Sequence, residues 1–452
     1  MLKYSLLTFF STTVFFGTAQ VQQTKTLHQL LQVAEINYPL LKSKKFLVDA
    51  AQKAVEISKN TKIPSLDAAY QMNYATYNNI TGMAYPQFLI PISGPPSSTN
   101  NFSGIFGSAA SLLLNWQPIT FGQREAQITY SQTGVKYATA DLANEILQHK
   151  VKVANAYLDA LTFAELDKLY QQNITRTETN LSTVKTLVAN GIKAGVDSAL
   201  FSAEVSKAKI DRLNIQKNKE QAIIALTQLL ATEENISIAD TSFFSKLPTS
   251  IIANDTSTNP LLSLYNTSIE LDKAKRKSIA KTTAPTLGVW GTTYARGSGV
   301  SNTGDVKTFD GLSLQRVNYG VGVQLSVPLL QSLKIKPQLQ HQDLQIKADQ
   351  EKLNDITLQL KKQLETANTT MDYALKTVKE MPVLVQSSTF AYATMVSRYN
   401  AGLANYADVV QAQYNLLKAE TDYKTAYMAA WKTLLYQAAI KGDINLFLNQ
   451  VN

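Results

Sequence analysis

The stretch of sequence that decides the fold is Val317-Asn318-Tyr319-Gly320-Val321-Gly322-Val323-Gln324-Leu325-Ser326-Val327. Its odd-numbered positions are all aliphatic or aromatic, and its even-numbered positions are all small or polar. Because successive side chains of a β-strand point to opposite faces of a sheet, this alternation predicts a strand with one apolar and one polar face. Its length of about ten residues is what a tilted strand needs to cross the hydrocarbon of a bilayer.

Three further segments have the same period and are predicted to be strands: 64–77, 106–117 and 285–295. The pattern is clear in the first two segments. It is ambiguous in the third, because Leu287 and Val289 lie on one face while Trp290 and Tyr294 lie on the other. The sequence therefore predicts four strands in two hairpins, and it leaves the orientation of the third strand open.

Closure of such a sheet is the main constraint on its interpretation. A soluble sandwich shares the alternating pattern, but four strands in two separate hairpins are too few to close a membrane barrel. Lipid offers no partner to unpaired backbone groups, so a membrane sheet requires several copies of the chain in one barrel. Aromatic residues near the predicted strand ends suit the girdle of a membrane barrel at the water interface: Tyr74, Tyr77, Trp116 and Tyr294.

Landmark residues recur in the second half of the chain, in the same order and at a nearly constant separation of 210 to 221 residues. The matched pairs are Pro39 with Pro260, Pro64 with Pro285, Pro118 with Pro328, and Gly191 with Gly402. Such self-similarity indicates an internal duplication. Each copy is predicted to run helix, strand, long loop, strand, very long helix, glycine turn and long helix.

The helices of this plan are too long for a small globule. The segment 123–190 contains no proline and predicts a helix of about 100 Å at 1.5 Å per residue, with apolar residues at the seven-residue steps of a coiled coil. The segment 331–400 contains Pro382, which is expected to kink or break the helix. The returning helix 405–440 has an apolar row that predicts its buried seam: Val410, Tyr414, Leu417, Met428, Trp431 and Leu435.

The N-terminus has the pattern of an export signal. Lys3 precedes an apolar run at 4–16, and the small residues Gly17 and Ala19 predict cleavage before Gln20. The predicted organisation is a signal peptide at 1–19, a first repeat at 20–230, a linker or equatorial segment at 231–259, a second repeat at 260–440 and a tail at 441–452.

Composition argues against several classes of function. The formal charge is +9, but the lysines are scattered singly along the helices, so no nucleic-acid surface is predicted. The chain has no cysteine, and its three histidines, His28, His149 and His341, are far apart, so neither a disulfide nor a metal site is expected. No catalytic triad order or phosphate-binding glycine loop is present, and we expect neither an enzyme nor a cofactor.

Two glycine turns follow the long helices. Gly191 directly follows Asn190, and Gly402 follows Asn400 with one residue between them; both suit a left-handed C-terminal cap. Six residues beyond each glycine stands an aspartate, Asp197 or Asp408, at the start of the next helix. A capping role and a functional role are both open for these two acids.

Three motifs stand beside the paired strand entries: Asn37-Tyr38-Pro39-Leu40, Gly191 with Asp197, and Arg398-Tyr399-Asn400-Ala401-Gly402 with Asp408-Val409-Val410-Gln411-Ala412. Together these features resemble the TolC-like outer-membrane efflux protein family. The resemblance covers essentially the whole chain after the signal. It implies a mixed α and β fold, namely a homotrimer with four strands per subunit in a shared outer-membrane barrel, continued by a long coiled-coil tunnel in the periplasm.

The resemblance also implies partners and sites. A periplasmic adaptor and an inner-membrane pump would open the tunnel, and outer-membrane lipid would surround the barrel. Gly191 and Gly402 would form the periplasmic tip turns, and Asp408, Gln411 and Asp197 would form the channel constriction. Where some relatives have a second acid, this chain has Gln411, which weakens the case for a double acidic ring.

We consider two functions, which belong to different classes of protein. The first is the outer-membrane channel of a tripartite efflux or type I secretion system, a passive exit duct from periplasm to exterior. The second is a periplasmic coiled-coil adaptor or scaffold without a pore, against which the four alternating strands argue. The sequence does not identify the cargo.

Overall fold

The structure is a computed structural model that describes residues 25–79, 96–233, 236, 238, 240–251 and 256–451. The predicted signal peptide at 1–19 and the centre of the first hairpin loop lie outside the described residues, as does part of the predicted linker at 231–259.

The elements alternate between short strands and long helices. In chain order they are α1 (Leu27–Asn37), α2 (Pro39–Asn60), β1 (Ser65–Thr76), β2 (Gly104–Ile119), α3 (Gln123–Ala189), α4 (Gly195–Leu230), α5 (Pro260–Lys281), β3 (Thr286–Ser298), β4 (Arg316–Ser326), α6 (Gln331–Asn400), α7 (Tyr406–Lys441) and α8 (Asn445–Val451). The order helix, strand, strand, long helix, helix therefore occurs twice, first from α2 to α4 and then from α5 to α7. All four predicted strands are present.

The chain forms two compact units, and each unit contains parts of both halves of the sequence. One unit comprises Met1–Ser43, Ala143–Pro260 and Thr357–Asn452, and the other comprises Lys44–Leu142 and Leu261–Ile356. We call them the helical unit and the sheet unit. Corresponding segments of the two halves thus pack together, so the duplication in sequence is not a division into two separately packed halves.

The sheet unit contains one antiparallel sheet in the order β1-β2-β3-β4. Its ladders bring apolar positions of neighbouring strands into register: Leu66 with Leu114, Leu114 with Gly291, and Gly291 with Val321. The apolar side chains of β4 from Val317 to Leu325 are 63% to 88% exposed in the single chain. One face of the sheet is therefore a continuous apolar surface, which we call the apolar face; the opposite side is the polar face.

The pairing resolves the ambiguous third strand. Val289 is paired with Trp116 and with Val323, so the odd positions of β3 belong to the apolar face. Trp290 lies on the polar face, where its ring covers Gly320 and Gly322 of β4. Tyr294 also lies on the polar face, so the prediction that it belongs to an interfacial girdle is wrong. The pairing of β3 with β4, and not the polarity of the side chain, decides to which face Tyr294 points.

Aromatic side chains do gather at the loop end of the apolar face. The ring centroids of Tyr74 and Phe106 are 4.9 Å apart, and Phe309 of the second hairpin loop lies 5.6 Å from Phe106. At the other end of β2, Trp116 donates its indole N–H to the carbonyl of Lys62 at 2.9 Å. Rings at both ends of the strands fit the interfacial girdle of a membrane sheet.

The core of the helical unit forms around Trp431 of α7. Its ring contacts Phe243, in a short 3₁₀ turn, at 5.0 Å between centroids and Phe447 of α8 at 6.1 Å. Its indole nitrogen donates to the carbonyl of Phe243 at 3.0 Å, so the buried ring leaves no polar atom unsatisfied. These aromatic contacts link the segment after α4 to α8 near the end of the chain.

Of the two effects expected of Pro382, a kink or a break, the break is wrong, since α6 runs through Pro382 without interruption. A proline removes one backbone donor, while packing holds the helix on both sides of it. Met371 and Val378 are buried in the core before Pro382, and Tyr399 is buried beyond it.

The seam of α7 is also displaced from the predicted row in its first half. Val409, Gln413 and Leu416 are buried, whereas Tyr414 is 56% exposed. In the second half the buried side chains include the predicted Met428, Trp431 and Leu435. Gln413 can be buried in this seam, where an apolar residue is usual, because its side-chain amide is hydrogen-bonded.

Candidate functional site at the helical turns

The two glycine turns have the same backbone geometry. Gly191 has φ of 72°, and Gly402 has φ of 79°, in the left-handed region where glycine is favoured. In each turn the residue after the glycine donates back to a carbonyl five residues earlier, Ile192 to Leu187 at 2.9 Å and Leu403 to Arg398 at 2.8 Å. These bonds form Schellman motifs, so the predicted C-terminal caps are confirmed.

Asp197 does not cap α4. The N-cap of α4 is Ala194, which makes no side-chain cap. The carboxylate of Asp197 instead accepts a hydrogen bond from the hydroxyl of Tyr399, near the end of α6, at 2.6 Å. Burial raises the pKa of Tyr399, and the bond to Asp197 raises it further, so the hydroxyl remains a donor.

The contact is supported by an aromatic cluster beneath the turns. Phe201 of α4 is buried between Tyr399 and Tyr406, with ring centroids 5.7 Å and 4.8 Å away. The hydroxyl of Tyr406 also reaches the carboxylate of Glu204 on α4 at 3.3 Å. The start of α4 is thus fastened to the end of α6 and the start of α7.

Asp408 has a different role from Asp197, although both follow a glycine by six residues. It is the third residue of α7 and completes a capping box: its amide donates to Asn405 Oδ1 at 3.0 Å, and its Oδ2 accepts from the amide of Asn405 at 3.1 Å. Asp408 and the nearby Gln411 are both exposed in the single chain. Gln411 donates to Asn415 at 2.9 Å, one turn further along.

Sequence reasoning missed a polar cluster inside the helical unit. Gln413 donates to Thr177 at 2.6 Å and to Asn173 at 3.3 Å, and it accepts from Asn180 at 3.1 Å. Asn180 also donates to the hydroxyl of Tyr392 at 2.9 Å. The spacing of Asn173, Thr177 and Asn180 on one helical face was the available signal. A satisfied buried network of this kind fixes the register of α3 against α6 and α7.

Ion pairs also connect α3 to α7 and to α4. Arg176 of α3 meets Glu420 of α7 through two hydrogen bonds of 3.2 Å and 2.6 Å. Asp167 of α3 accepts from Arg212 and Lys219 of α4 at 2.9 Å and 3.1 Å. Burial raises the pKa of Asp167, but the bonds from Lys219 and Arg212 outweigh it, so the pKa lies below its usual value.

In the described ranges, no group of histidines and acids is arranged to hold a metal ion. None of the helices in this part of the chain has an apolar stretch long enough to cross a bilayer. The polar side chains at the turns form hydrogen bonds within the chain: Asp197 with Tyr399, Asp408 with Asn405, and Gln411 with Asn415.

The family model for outer membrane efflux proteins matches residues 30–232 and 258–435, which is most of the chain. The chain belongs to the outer membrane efflux protein family. The matched ranges include all four strands, both glycine turns, Asp197 and Asp408. No curated protein sequence matches the chain significantly.

Solved outer-membrane proteins have the same fold as this efflux protein. The outer membrane protein VceC of Vibrio cholerae is 16% identical with a TM-score of 0.72, and the match covers 92% of this chain and 96% of that one. The CmeC outer membrane channel of Campylobacter jejuni is 15% identical with a TM-score of 0.71, covering 92% and 85%. The open state of the MtrE outer membrane channel of Neisseria gonorrhoeae is 16% identical with a TM-score of 0.70, covering 92% and 89%.

Family membership decides between the two functions left by the sequence. The protein is a subunit of an outer-membrane efflux channel and not an enzyme. The alternative of a periplasmic adaptor without a pore has no support. The apolar face of the sheet, exposed in the single chain, is suited to contact with lipid.

Proposed function

We propose that three copies of this efflux protein form a passive exit duct that receives its cargo from an inner-membrane pump through a periplasmic adaptor. The observation that carries the proposal is the pair of open edges: among the described strands, β1 and β4 each have only one neighbour. Unpaired backbone groups are unfavourable in lipid, so β4 of one copy is expected to pair with β1 of the next. Three four-stranded sheets would then close one barrel.

The tip turns support the proposed partner contacts. Ile192 beside Gly191 is 60% exposed, and Leu403 beside Gly402 is 70% exposed. Exposed apolar side chains on turns suit contact with another protein. We propose this end of the helical unit as the docking point for the adaptor.

The oligomer is tested by purifying the protein in detergent and measuring the mass of the complex by light scattering. We expect a trimer that resists dissociation until heated and that gives discrete single-channel steps in a planar bilayer. A stable monomer without conductance would contradict the proposal.

We further propose that Asp408 and Gln411 line the constriction near the tip. Both side chains are exposed in the single chain, so three copies around an axis would present three carboxylates and three amides to the lumen. Asp197 is bound by Tyr399, and we propose that it holds the two helical hairpins together while Asp408 supplies the charge. A ring of carboxylates favours passage of cations.

The capping box allows the charge of Asp408 to be separated from its capping role. Asp408→Asn keeps an oxygen that can accept from Asn405, whereas Asp408→Ala loses both the charge and the cap. We expect both variants to reduce cation preference in single-channel recordings, and only the alanine variant to lose about 1 kcal/mol of stability. Asp197→Asn is the matched control, since its charge is not assigned to the pore. If Asp408→Asn has the ion preference of the parent, Asp408 is a cap alone.

A further inference from the structure

The strands of the sheet carry very few charges. Across all four strands the charged residues are Asp67 on β1, Arg296 on β3 and Arg316 on β4. Asp67 lies at the helix end of the sheet, and the two arginines lie at the loop end. Charge on the strands is therefore separated by sign along their length.

The two arginines occupy facing positions. Arg296 and Arg316 are directly paired in the β3–β4 ladder, and both are exposed. Directly opposed residues of an antiparallel pair have Cβ atoms about 5 Å apart, and like charges at such positions are destabilising. Both arginines lie at even-numbered positions, on the polar face with Trp290 and Tyr294.

No described carboxylate neutralises this pair, since neither arginine belongs to an ion pair with the described acids. In the sequence of the first hairpin loop, residues 77–103 include no aspartate or glutamate. The second loop contains two acids: Asp305 accepts from the hydroxyl of Thr303 at 2.6 Å, and Asp310 forms no ion pair with either arginine. Two facing guanidinium groups without an anion are a cost that a ligand would remove.

The surroundings supply further hydrogen-bond donors. Both arginines line a concavity of about 1100 Å³ at the loop end of the sheet. Its wall also includes the amide side chains of Gln71, Asn73 and Asn302. A guanidinium group presents a planar fork that matches the oxygens of phosphate, and side-chain amides add neutral donors.

We propose that Arg296 and Arg316 form a binding site for multivalent phosphate-bearing anions at the outer mouth of the channel. The inference rests on the proposed trimer, in which three sites and six guanidinium groups surround one lumen. The site takes soluble anions and not lipid headgroups, because it lies on the polar face, opposite the face that meets lipid. Anionic solutes are drawn through the outer end of the duct.

The test uses the purified trimer in bilayers of glyceryl monooleate, a lipid without phosphate, with tripolyphosphate as the probe. Tripolyphosphate on the loop side should reduce single-channel current. In Arg296→Gln with Arg316→Gln, the concentration that halves the current should rise at least about tenfold, as expected for loss of charge-assisted bonds. Reversal potentials should also shift toward cation preference.

Matched variants separate a built site from general charge. Lys307→Gln removes a positive charge from the loop between β3 and β4, and it should leave the block by tripolyphosphate unchanged. The double lysine variant, Arg296→Lys with Arg316→Lys, keeps the charge without the fork and should bind with intermediate strength. An equal block in the parent and the glutamine variant overturns the proposal.

Two further outcomes identify other failures. Absence of channels in every preparation refutes the proposed trimeric duct and not the anion site specifically. An arginine-dependent change that requires phosphate-bearing lipid in the outer leaflet, with no effect of tripolyphosphate, overturns the assignment to soluble anions.

Discussion

Replacing Val323 by lysine should abolish assembly of this efflux protein in the outer membrane, whereas replacing the adjacent Gln324 by lysine should be tolerated. Val323 is paired with Val289 on the apolar face, and Gln324 is on the polar face. A lysine on the lipid face of a barrel costs about 2–4 kcal/mol near the bilayer centre. In the proposed trimer the cost would recur in each chain, while the lysine of Gln324→Lys would meet water in the lumen.

The measurement is the amount of heat-modifiable trimer in outer-membrane fractions of cells that express each variant. The two substitutions introduce the same side chain at neighbouring positions of one strand, so the change in net charge is matched. Similar trimer yields from Val323→Lys and Gln324→Lys would mean that the apolar face does not meet lipid.

Replacing Gly322 by valine should also prevent a native sheet from forming, because Trp290 occupies the space above that glycine. A Cβ atom at Gly322 would lie 2.5 Å from Cε2 of the Trp290 ring, well inside van der Waals contact. Overpacking of this kind costs about 1–3 kcal/mol, again in every chain of the assembly. We expect a lower yield of trimer and a lower temperature of trimer dissociation.

A second substitution relieves the clash. In Gly322→Val with Trp290→Ala, the ring is absent, so trimer yield should recover relative to Gly322→Val alone. Gly288 is the matched control, since a Cβ there would first meet backbone oxygens at 3.7 Å and 3.8 Å, an ordinary contact distance. A defect in Gly322→Val that Trp290→Ala leaves unrelieved would argue against this packing.

Local patterns predicted the larger part of the fold. The alternation in 317–327 requires only that side chains alternate across a strand, and β4 forms at Arg316–Ser326. The glycine turns were equally predictable, because a positive φ is a property of one residue and its neighbours. Pro382 does not break α6, because its local effect is smaller than the packing of a helix of 70 residues.

The roles of the predicted site residues could not be predicted from local sequence pattern alone. Asp197 and Asp408 have the same spacing from their glycines, yet one accepts from Tyr399 and the other completes a capping box with Asn405. The difference arises because Asn405 precedes α7, where α4 has Ala194, and because a tyrosine from a distant helix reaches Asp197. The predicted signal peptide and the boundaries of the repeats stay predictions.

The sequence by itself determined four strands, three of them with a clear apolar face, together with helices of unusual length and two left-handed turns, because each of these follows from the period or conformation of neighbouring residues. Only the tertiary structure decided that Trp290 covers Gly322, that Gln413 is buried among polar partners and that Arg296 stands opposite Arg316. These relations depend on the register between segments that are distant in the chain. Register is set by pairing and packing across the whole sheet or bundle, and no single segment encodes it.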